Sequence, residues 1–286
     1  MRKLLAALAA VAAVGGPAMA SDLPAQSPEP VAPIYVPFSW TGFYAGVNAG
    51  YGWNGADKIK DPTYYDTEHE YVGTFANGWF SGQRNSKRGS FTGGAQFGYN
   101  QQFGQFVVGI EADFNYLGQK TKYLADDITD IYEPIGDQNY NYHLREYLTP
   151  ESKTEWFGTI RPRFGFTPVD RLLVYATGGL AYGQVKSSGN YNWHEYGYWW
   201  GGGGNADFDR SGGFSGSKSQ VRWGWTIGAG AEYAITDHNT IKAEYLYVDL
   251  GKKNHVVVNP EDPGEFMTWK DSSRAHIVRV GLNYKF

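Results

Sequence analysis

The sequence lacks several features that define common protein classes. It contains no cysteine, so no disulfide framework can form. After the N-terminus no run of about 18 apolar residues occurs, which leaves no membrane-spanning helix there. The sequence has no P-loop, CxxC, HExxH or GxSxG motif. We therefore predict no catalytic residues, no cofactor and no metal site. The formal net charge of −4 argues against a nucleic-acid partner.

Aromatic residues, in contrast, are abundant in a chain that is polar on average. Aromatics make up 17% of the sequence, while the mean hydropathy is −0.47. A soluble protein with so many rings would need more aliphatic residues to bury them. A membrane β-barrel needs only short alternating segments, aromatic rings at two interfaces and polar loops.

The first 20 residues match a secretory signal peptide. Arg2 and Lys3 precede an apolar run over 4–14, and a small-residue cleavage site follows at 18–20. The alternative, an amphipathic first helix, would need a polar face that this run lacks. Removal of this segment would also take away two positive charges.

Five prolines follow between residues 21 and 39. Because proline cannot donate to a β-ladder and favours extended backbone, we predict a periplasmic leader that is not a strand. A disordered linker is physically almost the same. The barrel domain is then predicted over 40–286.

From residue 41 onward, eight segments alternate apolar and polar residues with a period of two. In the last segment Val278, Val280 and Leu282 share one face, and the chain ends on an aromatic residue. Pro162 requires a bulge or a missing ladder bond in the fourth segment. In the fifth, ambiguous segment we predict that Val174, rather than Leu173, faces outward. The segments are 41–53, 89–100, 106–116, 154–166, 172–183, 220–234, 240–250 and 273–286.

The connections between these segments are short and long in strict alternation. Links 101–105, 167–171 and 235–239 are short, whereas 54–88, 117–153, 184–219 and 251–272 are long. This arrangement is typical of membrane barrels. The sequence therefore predicts an all-β fold: an eight-stranded antiparallel transmembrane up-and-down barrel with four long extracellular loops and three short periplasmic turns. A lipocalin-like soluble barrel would invert the faces and lack this alternation.

The aromatic residues near the strand ends form two groups, which predicts two interfacial girdles. The short-turn group is Phe43, Tyr99, Phe106, Phe164, Tyr233, Tyr284 and Phe286; the long-loop group is Trp53, Phe91, Tyr116, Trp156, Tyr182, Trp223 and Tyr247.

Several charged residues fall on the inward face of the predicted strands. Because an eight-stranded barrel is only wide enough to be filled by side chains, these charges must pair. We expect Glu111 with Arg161, Glu244 with Arg279, and Glu232 with Lys242. The network is either a salt-bridged plug or a gate whose pairs exchange to admit ions. Its residues are Glu111, Asp113, Arg161, Arg163, Glu232, Lys242, Glu244 and Arg279.

The third long link contains a dense aromatic patch. It could contact sugars, a flat cofactor such as haem, or a protein, or it could pack on its own rings. The patch residues are Tyr191, Trp193, His194, Tyr196, Tyr198, Trp199 and Trp200. His276, beside Ser272 and Ser273, is the nearest approach to the His and Ser of lipid-modifying barrel enzymes, but an interfacial imidazole is the simpler interpretation.

Several motifs resemble the small immunogenic outer-membrane proteins of Gram-negative bacteria, which belong to the OmpA-like eight-stranded porin family and have haemin-binding relatives. The motifs are WTGFYAGVNAGYGW (40–53), FTGGAQFGYN (91–100), LLVYATGGLAYG (172–183), WTIGAGAEYAI (225–235) and the terminal RVGLNYKF. The likeness covers the strands and not the loops.

This resemblance implies an outer-membrane location, with outer-membrane lipids and lipopolysaccharide as surroundings. It also implies that Tyr284 and Phe286 form the C-terminal signal for the barrel assembly machinery. The expected function is a structural or surface role, extending to a narrow porin for small solutes. The alternatives are a loop-mediated binder of haem, glycan or protein, and an outer-membrane lipid-modifying enzyme.

Overall fold

The computed structural model describes residues 37–55, 59–67, 71–74 and 84–286, and in these residues all regular structure is β-strand. No helix long and apolar enough to cross a membrane occurs in these ranges. The predicted signal peptide, and the predicted leader up to residue 36, lie outside the described residues.

Twelve strands form one antiparallel sheet. Eight of them close into a ring in the order β1, β5, β6, β8, β9, β10, β11, β12, and β12 pairs again with β1. The predicted eight-stranded up-and-down barrel is therefore confirmed. The strands are β1 (Gly42–Asn54), β2 (Lys60–Asp66), β3 (Tyr71–Thr74), β4 (Arg84–Arg88), β5 (Ser90–Phe103), β6 (Phe106–Ile135), β7 (Gln138–Leu148), β8 (Glu151–Val169), β9 (Leu172–Gly201), β10 (Gly204–Ala234), β11 (Asn239–Val258) and β12 (Glu265–Lys285).

The long connections differ from the prediction, because much of each is strand rather than loop. β6 continues to Ile135 and returns as β7, and β9 and β10 run on as a second hairpin. Glycines with positive φ stand at the tips, Gly136 at 65° and Gly202 at 57°. The outer faces of these extensions mix polar residues with exposed apolar ones such as Ile128 and Tyr196, so the regular apolar alternation that marks the membrane part fades while the pairing persists.

Parts of four strands continue this pairing beyond the barrel, at the end of the long connections, which we call the hairpin end. We call this four-stranded part the surface sheet. It consists of residues 125–135 of β6, 138–148 of β7, 191–201 of β9 and 204–214 of β10, paired in that order.

The outer face of the barrel carries the predicted apolar belt. Val47 is 60% exposed, Ile110 53% and Ile227 55%. A continuous exposed apolar band around a closed sheet is the lipid-facing surface of a membrane barrel. In the strand whose facing was ambiguous, Leu173 is buried and Val174 is exposed, which confirms the predicted facing.

Alternating apolar and polar layers fill the interior. At the short-turn end Trp40 and Phe38, which precede β1, pack with residues of β6, β9 and β10. A charged layer follows, then a second apolar layer that contains Leu117 and Leu246. A smaller polar cluster and a third, largely aromatic layer around Trp269 complete the filling towards the hairpin end.

Pro162 is accommodated without a change of register. The β8–β9 pairing joins Ile160 to Leu180, omits the next two positions and resumes with Arg163 opposite Thr177. The Thr177 hydroxyl donates to the Pro162 carbonyl at 2.8 Å. The sequence predicted either a bulge or a missing ladder bond at Pro162, and the structure has the missing ladder bond.

Candidate functional site

The charged layer brings together all eight residues that the sequence placed inside the barrel, and we call it the ionic network. Each lies at an inward position of its strand, where the alternation leaves no other orientation. No member is more than 5% exposed. Four acids face four bases, so the layer is neutral as a whole. The acids are Glu111, Asp113, Glu232 and Glu244, and the bases are Arg161, Arg163, Lys242 and Arg279.

Arg161 lies at the centre of the network. Its Nη2 atom is 2.6 Å from Glu111 Oε1 and 2.8 Å from Asp113 Oδ2, and its Nη1 atom is 3.2 Å from Glu244 Oε1. The expected Glu111–Arg161 pair is present. One guanidinium therefore holds carboxylates from β6 and β11, which come from different sides of the lumen.

Arg279 links the same acids from β12. Its Nη2 atom is 2.6 Å from Glu244 Oε2 and 2.8 Å from Asp113 Oδ2. The expected Glu244–Arg279 pair is also present. Because these residues share partners, the charges form one network rather than isolated pairs.

The third expected pair, Glu232 with Lys242, does not form. Lys242 Nζ instead lies 2.9 Å from Glu111 Oε2, and Glu232 accepts from Arg163 Nη2 at 2.7 Å. The two residues are direct neighbours in the β10–β11 register. The lysine side chain nevertheless reaches across the narrow lumen, where Glu111 takes donors from several strands.

Two tyrosines join the network without having been predicted from the sequence. Tyr44 donates to Glu111 at 2.8 Å and accepts from Arg163 at 2.6 Å, while Tyr175 donates to Glu244 at 3.1 Å. Their inward position was the available signal, but a Tyr at such a position also fits an apolar filling. Each carboxylate of the network therefore contacts a cation. This arrangement neutralises the buried charges, and it leaves no carboxylate free to transfer a proton.

A second polar cluster lies beyond the aromatic girdle, towards the hairpin end. Asp271 on β12 accepts from Ser152, Ser187 and Arg222 at 2.7, 3.0 and 3.0 Å. His255 Nε2 lies 3.1 Å from the same carboxylate. Burial alone would raise the pKa of Asp271, but the hydrogen bond from His255 and the charge of Arg222 outweigh it and lower the pKa below its ordinary value.

The aromatic patch lies on strand β9 and not in a loop, and its residues divide between the two faces of the surface sheet. Tyr191 is buried in the aromatic layer, and Trp193 packs against that layer. His194, Tyr196 and Tyr198 occupy the opposite, outer face, as does Trp200 by the same alternation; Trp199 lies with Tyr191 and Trp193. The patch is therefore not one continuous surface.

An open groove of about 830 Å³ lies on the surface sheet. Two histidine–carboxylate pairs lie at this groove. His143 Nδ1 pairs with Asp130, and His194 Nε2 lies 2.8 Å from Asp209 Oδ1. Its lining residues are Asp130, Asn141, His143, Tyr196, Gly197, Tyr198, Asp207, Phe208 and Asp209. Over the part of the chain that the structure describes, no group of three or more His, Asp or Glu residues is arranged to hold a metal ion.

His276 lies at the outer girdle and stacks on Trp53 with ring centroids 5.8 Å apart. Its Nδ1 atom is 2.6 Å from the Tyr245 hydroxyl, whereas the Ser273 hydroxyl bonds Thr154 inside the barrel at 2.9 Å. Tyr284 and Phe286 are exposed on the outer face at the short-turn end.

Comparison with known proteins agrees with this geometry. The family model "outer membrane protein beta-barrel domain" matches residues 6–286. The 31 kDa outer-membrane immunogenic protein of Brucella melitensis biotype 1 is 39% identical over 99% of this chain and 98% of its own length. The 22 kDa outer membrane protein of Rhizobium leguminosarum bv. viciae is 30% identical over 89% of this chain and 82% of its own length.

Among solved structures, the outer membrane protein OprG from Pseudomonas aeruginosa aligns with a TM-score of 0.46 and 12% identity, covering 86% of this chain and 96% of that one. The attachment invasion locus protein Ail of Yersinia pestis aligns with a TM-score of 0.35 and 12% identity, covering 86% and 99%. The family match and the closed, lipid-facing sheet together lead to one assignment. The chain belongs to the outer membrane protein beta-barrel domain family and is an integral protein of the Gram-negative outer membrane.

Proposed function

We propose that this protein has a structural and surface role: a closed barrel that anchors a rigid β-sheet outside the membrane. The observation that carries this proposal is the filled lumen. Trp40 closes the short-turn end, the neutral ionic network fills the membrane part, and Leu117 and Leu246 belong to the next apolar layer. The cavity beside that apolar layer measures only about 10 Å³, room for no more than about one water molecule.

A pore would require the ionic network to open, and the geometry makes this costly. Arg161 and Arg279 both hold Glu244, so displacing the Glu244 side chain leaves the buried layer with one uncompensated positive charge. Breaking a buried ion pair in this way costs about 3–5 kcal/mol. The narrow porin and the ion gate are therefore the less favoured forms of the function.

Planar-bilayer recording tests this directly. We expect the mature protein, reconstituted at the single-molecule level, to give no resolved conductance steps at neutral pH and moderate voltage. The matched comparison is Glu244→Ala, which removes one wall of the ionic network and should introduce noise or brief openings. Stable steps in the unmodified protein that Glu244→Ala changes would overturn the closed-lumen proposal in favour of a gated pore.

A second candidate function is binding at the surface sheet, and the groove on that sheet favours it. Tyr196 and Tyr198 are 44% and 48% exposed, and carboxylates lie beside them. Aromatic faces with adjacent hydrogen-bonding groups suit a sugar or a flat cofactor such as haem.

Titration with haem, read as Soret absorbance, and a glycan panel test this candidate. Tyr196→Ala should weaken any binding at the groove. The control is Tyr140→Ala on β7, because Tyr140 pairs with Trp199 in the register and so lies on the other face. Equal binding by both variants would exclude the groove.

The lipid-modifying enzyme has no comparable support. His276 contacts Tyr245 and Trp53, and the hydroxyl of the nearby Ser273 bonds elsewhere. Lipid A modification that His276→Ala abolishes would revive it.

A further inference from the structure

Basic residues form a line across three adjacent strands on the outer surface, just beyond the aromatic girdle of the hairpin end. Lys120 of β6 stands directly opposite Lys153 of β8, and Lys153 stands opposite Lys186 of β9. We call these three residues the lysine row. On the far side of Lys120, the register places Arg88 of β4 opposite it. Four basic positions therefore share one level on four neighbouring strands.

The lysine row is unfavourable by itself. Like charges directly opposite each other in a sheet repel, because their Cβ atoms are only about 5 Å apart. The side chains of Lys120 and Lys153 are 44% and 37% exposed, and Lys186 is exposed. Nothing in the core of the barrel requires a cation at these outward positions.

The nearby carboxylates compensate only part of this charge. Glu151 Oε1 lies 2.7 Å from Lys120 Nζ, and Glu155 Oε1 lies 3.6 Å from Lys153 Nζ. Among the described residues no carboxylate lies within 4.0 Å of Lys186, nor of Lys122, which is also exposed and stands opposite Glu151. Four lysines thus meet two glutamates, although the whole chain has a net charge of −4.

The level of the lysine row corresponds to the lipid headgroups. Lys153 is three residues beyond Trp156, which belongs to the girdle. Three strand residues span about 10 Å, and a tilt of about 40° reduces this to about 7–8 Å along the membrane normal. The headgroup region on each side of a bilayer is about 5–8 Å thick.

We propose that the lysine row binds the anionic groups of outer-leaflet glycolipids, with lipid A phosphates as the best-matched ligand. Ammonium groups donate charge-assisted hydrogen bonds to phosphate oxygens, and a bound phosphate between neighbouring lysines converts their repulsion into attraction. This site goes beyond the surface role proposed above, because it fixes the lipid contact of one side of the barrel and is independent of any ligand of the surface sheet.

The test uses the mature protein in phosphatidylcholine nanodiscs that contain increasing fractions of diphosphoryl lipid A carrying a fluorescent acceptor. Energy transfer from the tryptophans, including Trp156, reports lipid A near the barrel. Each lysine near an anionic surface contributes about a five-fold change in affinity. We therefore expect Lys153→Gln with Lys186→Gln to raise the half-saturating lipid A fraction about 25-fold.

The matched control replaces Lys218 and Lys253 by Gln. Both are exposed and lie near the same level, but they stand opposite the buried Ser187 and Asp271, on the inner face. This control should leave the half-saturating fraction unchanged. An equal shift in the control, or no shift in the row variant, would overturn the proposal.

Two further arms separate the sources of phosphate and guard against misfolding. Lipid A without phosphates should bind the unmodified protein as weakly as the row variant, and inorganic phosphate at equal concentration should compete poorly. Potent competition by inorganic phosphate would replace the lipid site with a free-anion site. Glu151→Gln releases Lys120 from its ion pair and should tighten binding, so weaker binding by this variant would also refute the proposal.

Discussion

Removing Glu244 is the most direct perturbation of the ionic network. Its carboxylate is 2.6 Å from Arg279, 3.2 Å from Arg161 and 3.1 Å from the Tyr175 hydroxyl, and all of these groups are buried. In Glu244→Leu the layer holds three acids and four bases, so one buried positive charge has no counterpart. Removing one partner of a buried pair costs about 3–5 kcal/mol. We expect the free energy of unfolding to fall by that amount.

The assay is guanidinium unfolding of the protein in phospholipid vesicles, read by heat-modifiable gel mobility. With a denaturant slope of about 4 kcal/mol/M, the midpoint should fall by about 1 M. Ala243→Leu on the same strand is the control: Ala243 pairs with Val280, which faces lipid, so this variant should shift the midpoint little.

A double variant provides the refuting result. Glu244→Leu combined with Arg279→Leu restores three acids against three bases, so its cost should be clearly smaller than the sum of the two single costs. Additive costs, or a loss below about 1 kcal/mol for Glu244→Leu alone, would mean that the charges do not act as a network.

Three further predictions concern other layers of the molecule. Trp40→Ala should lower the free energy of unfolding by about 3–5 kcal/mol in the same assay, because a ring that is 2% exposed leaves a cavity; an unchanged midpoint would mean that the residues before β1 do not contribute. Asp271 has a folded-state pKa below the ordinary 3.8, so its contribution to stability is present above that pH and is lost as the pH falls through the folded value. Asp271→Asn should therefore flatten the acid limb of a stability–pH curve measured between pH 2 and 5, and parallel curves would contradict this. Deletion of Phe286, which is 69% exposed at the membrane surface, should slow assembly into vesicles by the purified barrel assembly machinery but leave spontaneous folding in detergent intact; equal loss in both would indicate a purely structural role.

The membrane-facing half of this fold could be predicted from the sequence because one physical constraint governs it. Lipid selects apolar side chains at alternate positions, so Val47 and Ile227 mark their strands, and the strict alternation identified the inward charges. The pairs Glu111–Arg161 and Glu244–Arg279 followed from strand adjacency.

The remainder depends on contacts that strand adjacency does not specify. Lys242 bonds Glu111 across the lumen, which follows from side-chain length and the width of the barrel rather than from its neighbour Glu232. The strands of the surface sheet were missed because water faces their outer side, so polar residues such as Asn192 and Asp207 interrupt the apolar alternation. The packing of Phe38 into the barrel end was hidden by the prolines around it.

The pairing of the first strand with the last has a consequence for biogenesis. β1 pairs with β12, with Tyr44 opposite Lys285. The ring therefore cannot close until the C-terminal strand has been synthesised and has reached the membrane. Until then both edges expose unpaired amides and carbonyls, which can recruit strands from other chains. Contacts this distant in sequence also make folding slow. We therefore expect export to depend on periplasmic chaperones that keep the nascent chain unpaired, and any truncation within β12 to yield aggregates rather than a smaller barrel.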